Sequence, residues 1–129
     1  MKLNRVDHIA IICSDYTRST EFYVGVLGFK IIKETWRKER RSWKADLSLN
    51  GEYTIELFTF PNSPARLSYP EACGLRHIAF EVDDLRQWFS NLVALGMQPE
   101  EIRRDSIRES ESFFFKDPDG LPIELYQKK

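Results

Sequence analysis

The chain contains two histidines, His8 and His77. Each is followed, 48 and 47 residues later, by a glutamate set between aliphatic residues: Glu56 in Ile55-Glu56-Leu57 and Glu124 in Ile123-Glu124-Leu125. In apolar strands both side chains are costly, because an imidazole needs partners for its nitrogens and a carboxylate is rarely buried alone. One divalent cation would satisfy all four. Neutral imidazole nitrogen with carboxylate oxygen suits a borderline to hard ion in tetrahedral to octahedral geometry, and the absence of thiolate donors argues against structural zinc or an iron–sulfur cluster. The two cysteines do not form a metal-type pair: Cys13 reads as core packing and Cys73 as a loop residue.

The elements that must position these groups occur twice. Val6 to Cys13 is a short apolar run that reads as a strand, closed by the capping residues Ser14 and Asp15. Tyr16, Phe22, Tyr23, Val26 and Leu27 then fall on one helical face, and Gly28 follows where a C-terminal cap belongs. Phe29 to Trp36, Ser42 to Leu49 and Tyr53 to Phe60 read as a three-strand meander, with Asn50-Gly51 as a hairpin turn. Residues 61–74, rich in Pro and Ser and without hydrophobic period, form a connecting loop. The pattern then returns. Leu75 to Val82 reads as a strand, Asp83-Asp84 as caps, and Leu85, Trp88, Phe89, Leu92 and Leu95 as a helix face closed by Gly96. Phe113 to Phe115, a turn at Asp117-Pro118-Asp119-Gly120, and Ile123 to Tyr126 make a second meander.

His8-Ile9-Ala10 recurs as His77-Ile78-Ala79 at an offset of 69, and Ile55-Glu56-Leu57-Phe58 as Ile123-Glu124-Leu125-Tyr126 at an offset of 68. Each copy is β-α-β-β-β, with the His on its first strand and the Glu on its last. A single domain over 1–129 is expected, with module one at 5–60, the loop at 61–74 and module two at 75–127.

Composition removes other classes. At 129 residues, 42% hydrophobic and 30% charged, the chain fits one globular domain. Its net charge of −1 gives no basic field for nucleic acid or an anionic membrane. No apolar run approaches the roughly 18 residues of a membrane span, and the first residues lack a signal-peptide pattern, so a cytoplasmic protein with a small-molecule substrate is expected.

Taken together, Asp7-His8-Ile9-Ala10, Phe22-Tyr23 with Leu27-Gly28-Phe29, Ile55-Glu56-Leu57, Leu75 to Phe80, and Asp117-Pro118-Asp119-Gly120 leading to Ile123-Glu124-Leu125 resemble the vicinal oxygen chelate superfamily. That superfamily includes glyoxalase I, extradiol dioxygenases and fosfomycin resistance proteins. The resemblance implies an α+β fold of paired βαβββ modules, a cupped mixed sheet around one divalent metal (Zn, Ni, Co, Mn or Fe). Its ligands would be His8, Glu56, His77 and Glu124. Two His with two Glu are similar to glyoxalase I, which implies a lyase or isomerase that chelates vicinal substrate oxygens and moves a proton through an enediolate, with Glu124 or Glu56 as base. It also implies a homodimer, with the metal site within one chain or shared across two. Where bacterial glyoxalase I carries an Arg and an Asn for glutathione, this chain has Ile12 and Phe60, so a substrate other than a glutathione adduct is expected. The alternatives are an Fe(II) ring-cleaving dioxygenase and a non-catalytic resistance protein that binds a small ligand. Arg76 and Trp43 are the candidate substrate contacts.

Overall fold

The computed structural model describes residues 1–128; Lys129, the last residue of the expected domain, lies outside them. The chain divides into two units, Met1–Ala65 and Arg66–Lys129, so the boundary falls inside the loop expected at 61–74. The two units repeat one topology.

In the first unit, β1 (Ile9–Ile12) leads to α1 (Tyr16–Thr20) and then to β2 (Lys30–Arg37), β3 (Ser42–Leu49) and β4 (Glu52–Phe58). Asp15 caps α1, its carboxylate accepting the Arg18 N–H at 3.0 Å. After one turn the helix widens into a π-helical stretch over Glu21–Val26, and the Leu27 N–H reaches back five residues to the Phe22 carbonyl. This places Phe22, Tyr23 and Leu27 in the core and leaves Val26 half-buried. Gly28 follows with φ 81°, the left-handed conformation that glycine adopts without steric cost.

The second unit contains β5 (Ile78–Glu81), α2 (Leu85–Ala94), β6 (Arg103–Asp105), β7 (Ser110–Lys116) and β8 (Pro122–Lys128). Asp84 caps α2 through the Gln87 N–H at 2.9 Å. Leu85 and Leu92 are buried, whereas Leu95, expected on the same face, is the exposed C-cap residue. Strand β6 has no hydrophobic signal, because all three of its residues are exposed.

Each unit holds a four-stranded mixed sheet, ordered β1-β4-β3-β2 and β5-β8-β7-β6. The first and last strands pair in parallel, with Ala10 opposite Glu56 and Ala79 opposite Glu124. The remaining pairs are antiparallel. Ile55, Leu57 and Ile123 are fully buried, and Leu125 nearly so, each such side chain contributing about 1.5–3 kcal/mol by leaving water. Because strand side chains alternate, the glutamate between them must point to the opposite face of its sheet.

The histidines differ from the sequence expectation in one respect. The first strand of each unit is four residues long, and His8 and His77 stand one residue before it, about one third exposed. In the first unit an irregularity in β4 interrupts the ladder just before Ile55; in the second, the residue before Ile123 is Pro122, which has no N–H to extend it.

Candidate metal centre

The parallel register explains why each His meets its Glu. His8 lies two residues before Ala10, the strand partner of Glu56, so both side chains project from the same face; His77, Ala79 and Glu124 repeat the relation. His8 Nε2 stands 3.5 Å from Glu56 Oε2, and His77 Nε2 stands 3.4 Å from Glu124 Oε2. The glutamates are the less exposed members, at 12% and 18% of the side chain against 37% and 35% for the histidines. The carboxylates therefore carry more of the desolvation argument than the imidazoles.

Around Glu56 the first unit builds a network. Lys44 Nζ lies 2.7 Å from Glu56 Oε1 and 3.1 Å from Asp46 Oδ1. The Tyr53 hydroxyl donates to the same Glu56 oxygen and lies 3.4 Å from Asp46 Oδ1, while its ring stacks on His8 at 5.2 Å. On the other side of His8, Nδ1 bonds the Asp7 carboxylate at 2.8 Å. In the neutral tautomer that donates Nδ1–H to Asp7, the Nε2 lone pair is directed toward Glu56.

Burial pushes the Glu56 carboxyl up, but hydrogen bonds from Lys44 and Tyr53 outweigh it and hold the group below its ordinary value. The hydrogen bond to Asp7 raises His8 against a smaller opposing effect of burial. The Glu56 contact likewise raises Lys44. Burial, reinforced by Glu56, raises the Tyr53 phenol.

A β-bulge creates this network. A straight ladder from the Asn50-Gly51 turn would set Ala45 opposite Glu56 and turn Tyr53 toward the core. Instead the register shifts between Ser48↔Tyr53 and Leu47↔Ile55, leaving Thr54 as the extra residue. Asp46 then faces Glu56, Lys44 lies two residues further on, and Tyr53 shares their face. Asp46 and Tyr53 were not among the expected site residues, since the period-2 pattern carries no mark of an added residue.

Around Glu124 the second unit is simpler. The β7–β8 ladder runs without a shift, with Phe114 opposite Glu124 and Ser112 opposite Tyr126. The Phe114 ring packs edge-on against His77 at 5.1 Å. The residue before His77 is Arg76, whose guanidinium lies over the Tyr69 ring. Trp43 stacks on Tyr16 of α1 and against Trp36, so it occupies the helix-bearing face of its sheet, opposite Lys44 and Glu56.

The model of the Glyoxalase/Bleomycin resistance protein/Dioxygenase superfamily matches residues 5–125. The chain belongs to that superfamily. It is 53% identical to the uncharacterized protein YwkD of Bacillus subtilis over 99% of this chain and 100% of that one. It is 52% identical to the uncharacterized protein YaeR of Escherichia coli over 98% of each. The crystal structure of a glyoxalase family protein from Enterococcus faecalis shares 40% identity and superimposes with a TM-score of 0.88, covering 98% of this chain and 99% of that one. More distant superfamily relatives include a probable lactoylglutathione lyase of Vibrio cholerae, 26% identical over 100% of this chain and 94% of its own. A metallothiol transferase FosB of Staphylococcus epidermidis is 29% identical over 98% and 83%.

Whether the residues present fit a divalent ion of the kind common in this superfamily is a matter of donor spacing. Donors that each reach an ion at about 2.0–2.2 Å stand at most about 4 Å apart. The His–Glu separations of 3.4 and 3.5 Å satisfy this and exceed a good hydrogen bond. Among the described residues no group of three His, Cys, Asp or Glu side chains suited to an ion assembles. Each unit brings one His nitrogen and one Glu oxygen within this range.

Proposed function

We propose that the chain is a metal-dependent lyase or isomerase acting on a small molecule with two adjacent oxygens, and that His8, Glu56, His77 and Glu124 hold its single divalent ion. The observation that carries this reading is the repetition of one His–Glu pair, at nearly the same separation and on the same face, in both units of a glyoxalase-superfamily fold.

When bound, the ion supplies Lewis-acid polarisation of a substrate carbonyl. The residues divide the remaining work unequally. One oxygen of Glu56 is engaged by Lys44 and Tyr53, so this side chain is a fixed ligand. Among the described residues His77 is the one side chain that an ion pair joins to Glu124, which leaves that carboxylate able to take the proton next to the carbonyl and return it. Asp7 keeps His8 in the ligating tautomer. Ile12 and Phe60, where bacterial glyoxalase I has polar glutathione contacts, support a substrate other than a glutathione adduct.

Metal analysis of the purified chain beside Glu56→Ala and His77→Ala, followed by a screen of α-hydroxy and α-oxo compounds for exchange of carbon-bound hydrogen with deuterated water, tests the proposal. One ion per site is expected in the parent and little in either variant, with exchange abolished by Glu124→Gln. Unchanged metal content in both variants would overturn the assignment.

A further inference from the structure

A cavity of about 360 Å³ opens on the Glu124-bearing face of the second sheet, lined by Tyr69, Arg76, His77, Arg103, Phe114 and Lys116, together with two glutamates. Its placement follows from register. Phe114 is the strand partner of Glu124, Lys116 lies two residues along β7, and Arg103 pairs with Ser112, so all project from the face that carries Glu124.

The charges here do not cancel. Arg103 bonds Glu100 at 2.8 Å, which neutralises both. Arg76 and Lys116 form no ion pair among the described residues, yet both stand 5.6 Å from the centre of the Tyr69 ring. Glu71 is the one remaining acid in the lining, so an excess of positive charge persists. Two like charges gathered on one ring repel each other unless an anion joins them.

The loop that holds them is braced. Arg66 donates to the carbonyls of Leu75 and Arg76 and, through Nε, to Ser68 Oγ at 3.0 Å. Ser68 Oγ in turn donates to the Gly120 carbonyl at 3.1 Å, tying the loop to the turn between β7 and β8. Tyr69 and Arg76 are therefore fixed relative to Lys116, the last residue of β7.

We infer that this pocket binds the anionic group, a carboxylate or a phosphate, of the small molecule whose reacting end meets His77 and Glu124. Arg76 supplies the planar fork that matches either oxyanion, Lys116 a point charge, and Tyr69 an apolar wall. The corresponding cavity of the first unit, lined by Arg5, Asp7, His8, Glu52 and Tyr53, has no such surplus of cations. Anion binding is a property of the chain itself; only the identity of the anion as part of the substrate rests on the proposed function.

The test is a titration of the chelator-treated full chain with sodium phosphate and with sodium acetate, at ionic strength held constant with chloride, followed by amide and side-chain NMR shifts. Saturable shifts at Tyr69, Arg76 and Lys116 are expected, with a Kd on the order of millimolar for so small an ion. The double variant Arg76→Gln/Lys116→Gln should bind about tenfold more weakly or worse, and Arg40→Gln should match the parent. The tighter of the two anions names the group. Shifts no larger than those from chloride, or equal affinity in parent and double variant, would overturn the inference. Metal content measured on the same double variant separates the two proposals: parent-like metal with lost phosphate affinity supports the anion site without reference to the ion.

Discussion

The two units carry the same backbone and the same His–Glu pair but surround it differently. In the first, Glu56 is enclosed by Lys44, Tyr53 and Asp46, and His8 is held by Asp7. In the second, Glu124 and His77 face Phe114, and the cations sit further off around Tyr69. The difference teaches that a duplicated ligand pair does not imply duplicated roles. The Glu56 carboxylate is held by Lys44 and Tyr53 as well as facing His8, whereas among the described residues Glu124 is joined by an ion pair to His77 alone. Positions shared by both copies are the buried aliphatic residues of the last strands and the His–Glu pair; positions that differ are the neighbours of that pair.

The largest expected effect tests whether the cores are equivalent. Leu57 and Leu125 occupy matching sites in the last strand of each unit, with 0% and 1% exposure. Leu57→Ala and Leu125→Ala should each destabilise the chain by about 2–5 kcal/mol in urea denaturation and agree within about 1 kcal/mol. A larger disparity would mean that the repeated pattern hides unequal packing.

Next comes the contrast between the histidines. Asp7→Asn should weaken metal binding by about 10–100-fold by calorimetry, with Asp7→Glu recovering part of the loss, because the Asp7 carboxylate orients His8. Parent-like affinity in Asp7→Asn would show that the first pair needs no such support.

The smallest effect concerns the held glutamate. Lys44→Met should raise the Glu56 carboxyl, read from its side-chain carbon shift against pH, and cost about 1 kcal/mol at neutral pH. A depressed carboxyl contributes stability that is complete above its ordinary value of 4.5 and disappears as the pH falls through the folded-state value below it. The parent should therefore retain this contribution to lower pH than the variant. Identical acid titrations would remove Lys44 from the account.

Much of this was legible in the residues. The recurring His-Ile-Ala and Ile-Glu-Leu triplets marked the repeat, the capping pairs Ser14-Asp15 and Asp83-Asp84 marked the helix starts, and the paired βαβββ modules followed from the family resemblance, whereas the parallel pairing of first and last strands emerges only from the ladder. Other features left little trace. The strands beginning at Ile9 and Ile78 are shorter than their apolar runs because ladder geometry, not hydrophobicity, ends them. Strand β6 is polar throughout and gives no periodic signal. Trp43 read as a pocket residue by type alone, but alternation places it with Tyr16 on the helix side. Lys44 and Tyr53 reach Glu56 through a register shift that no local pattern announces.

That shift has a consequence for how two copies of one motif can part ways. Thr54 is a single added position, yet it exchanges the β3 neighbours presented to Glu56 while leaving His8 in place. Specialisation of one half therefore requires no edit to its His–Glu pair. Codon gain or loss in a hairpin is enough, and shortening β4 by that one residue would be the most economical route to making the first half resemble the second.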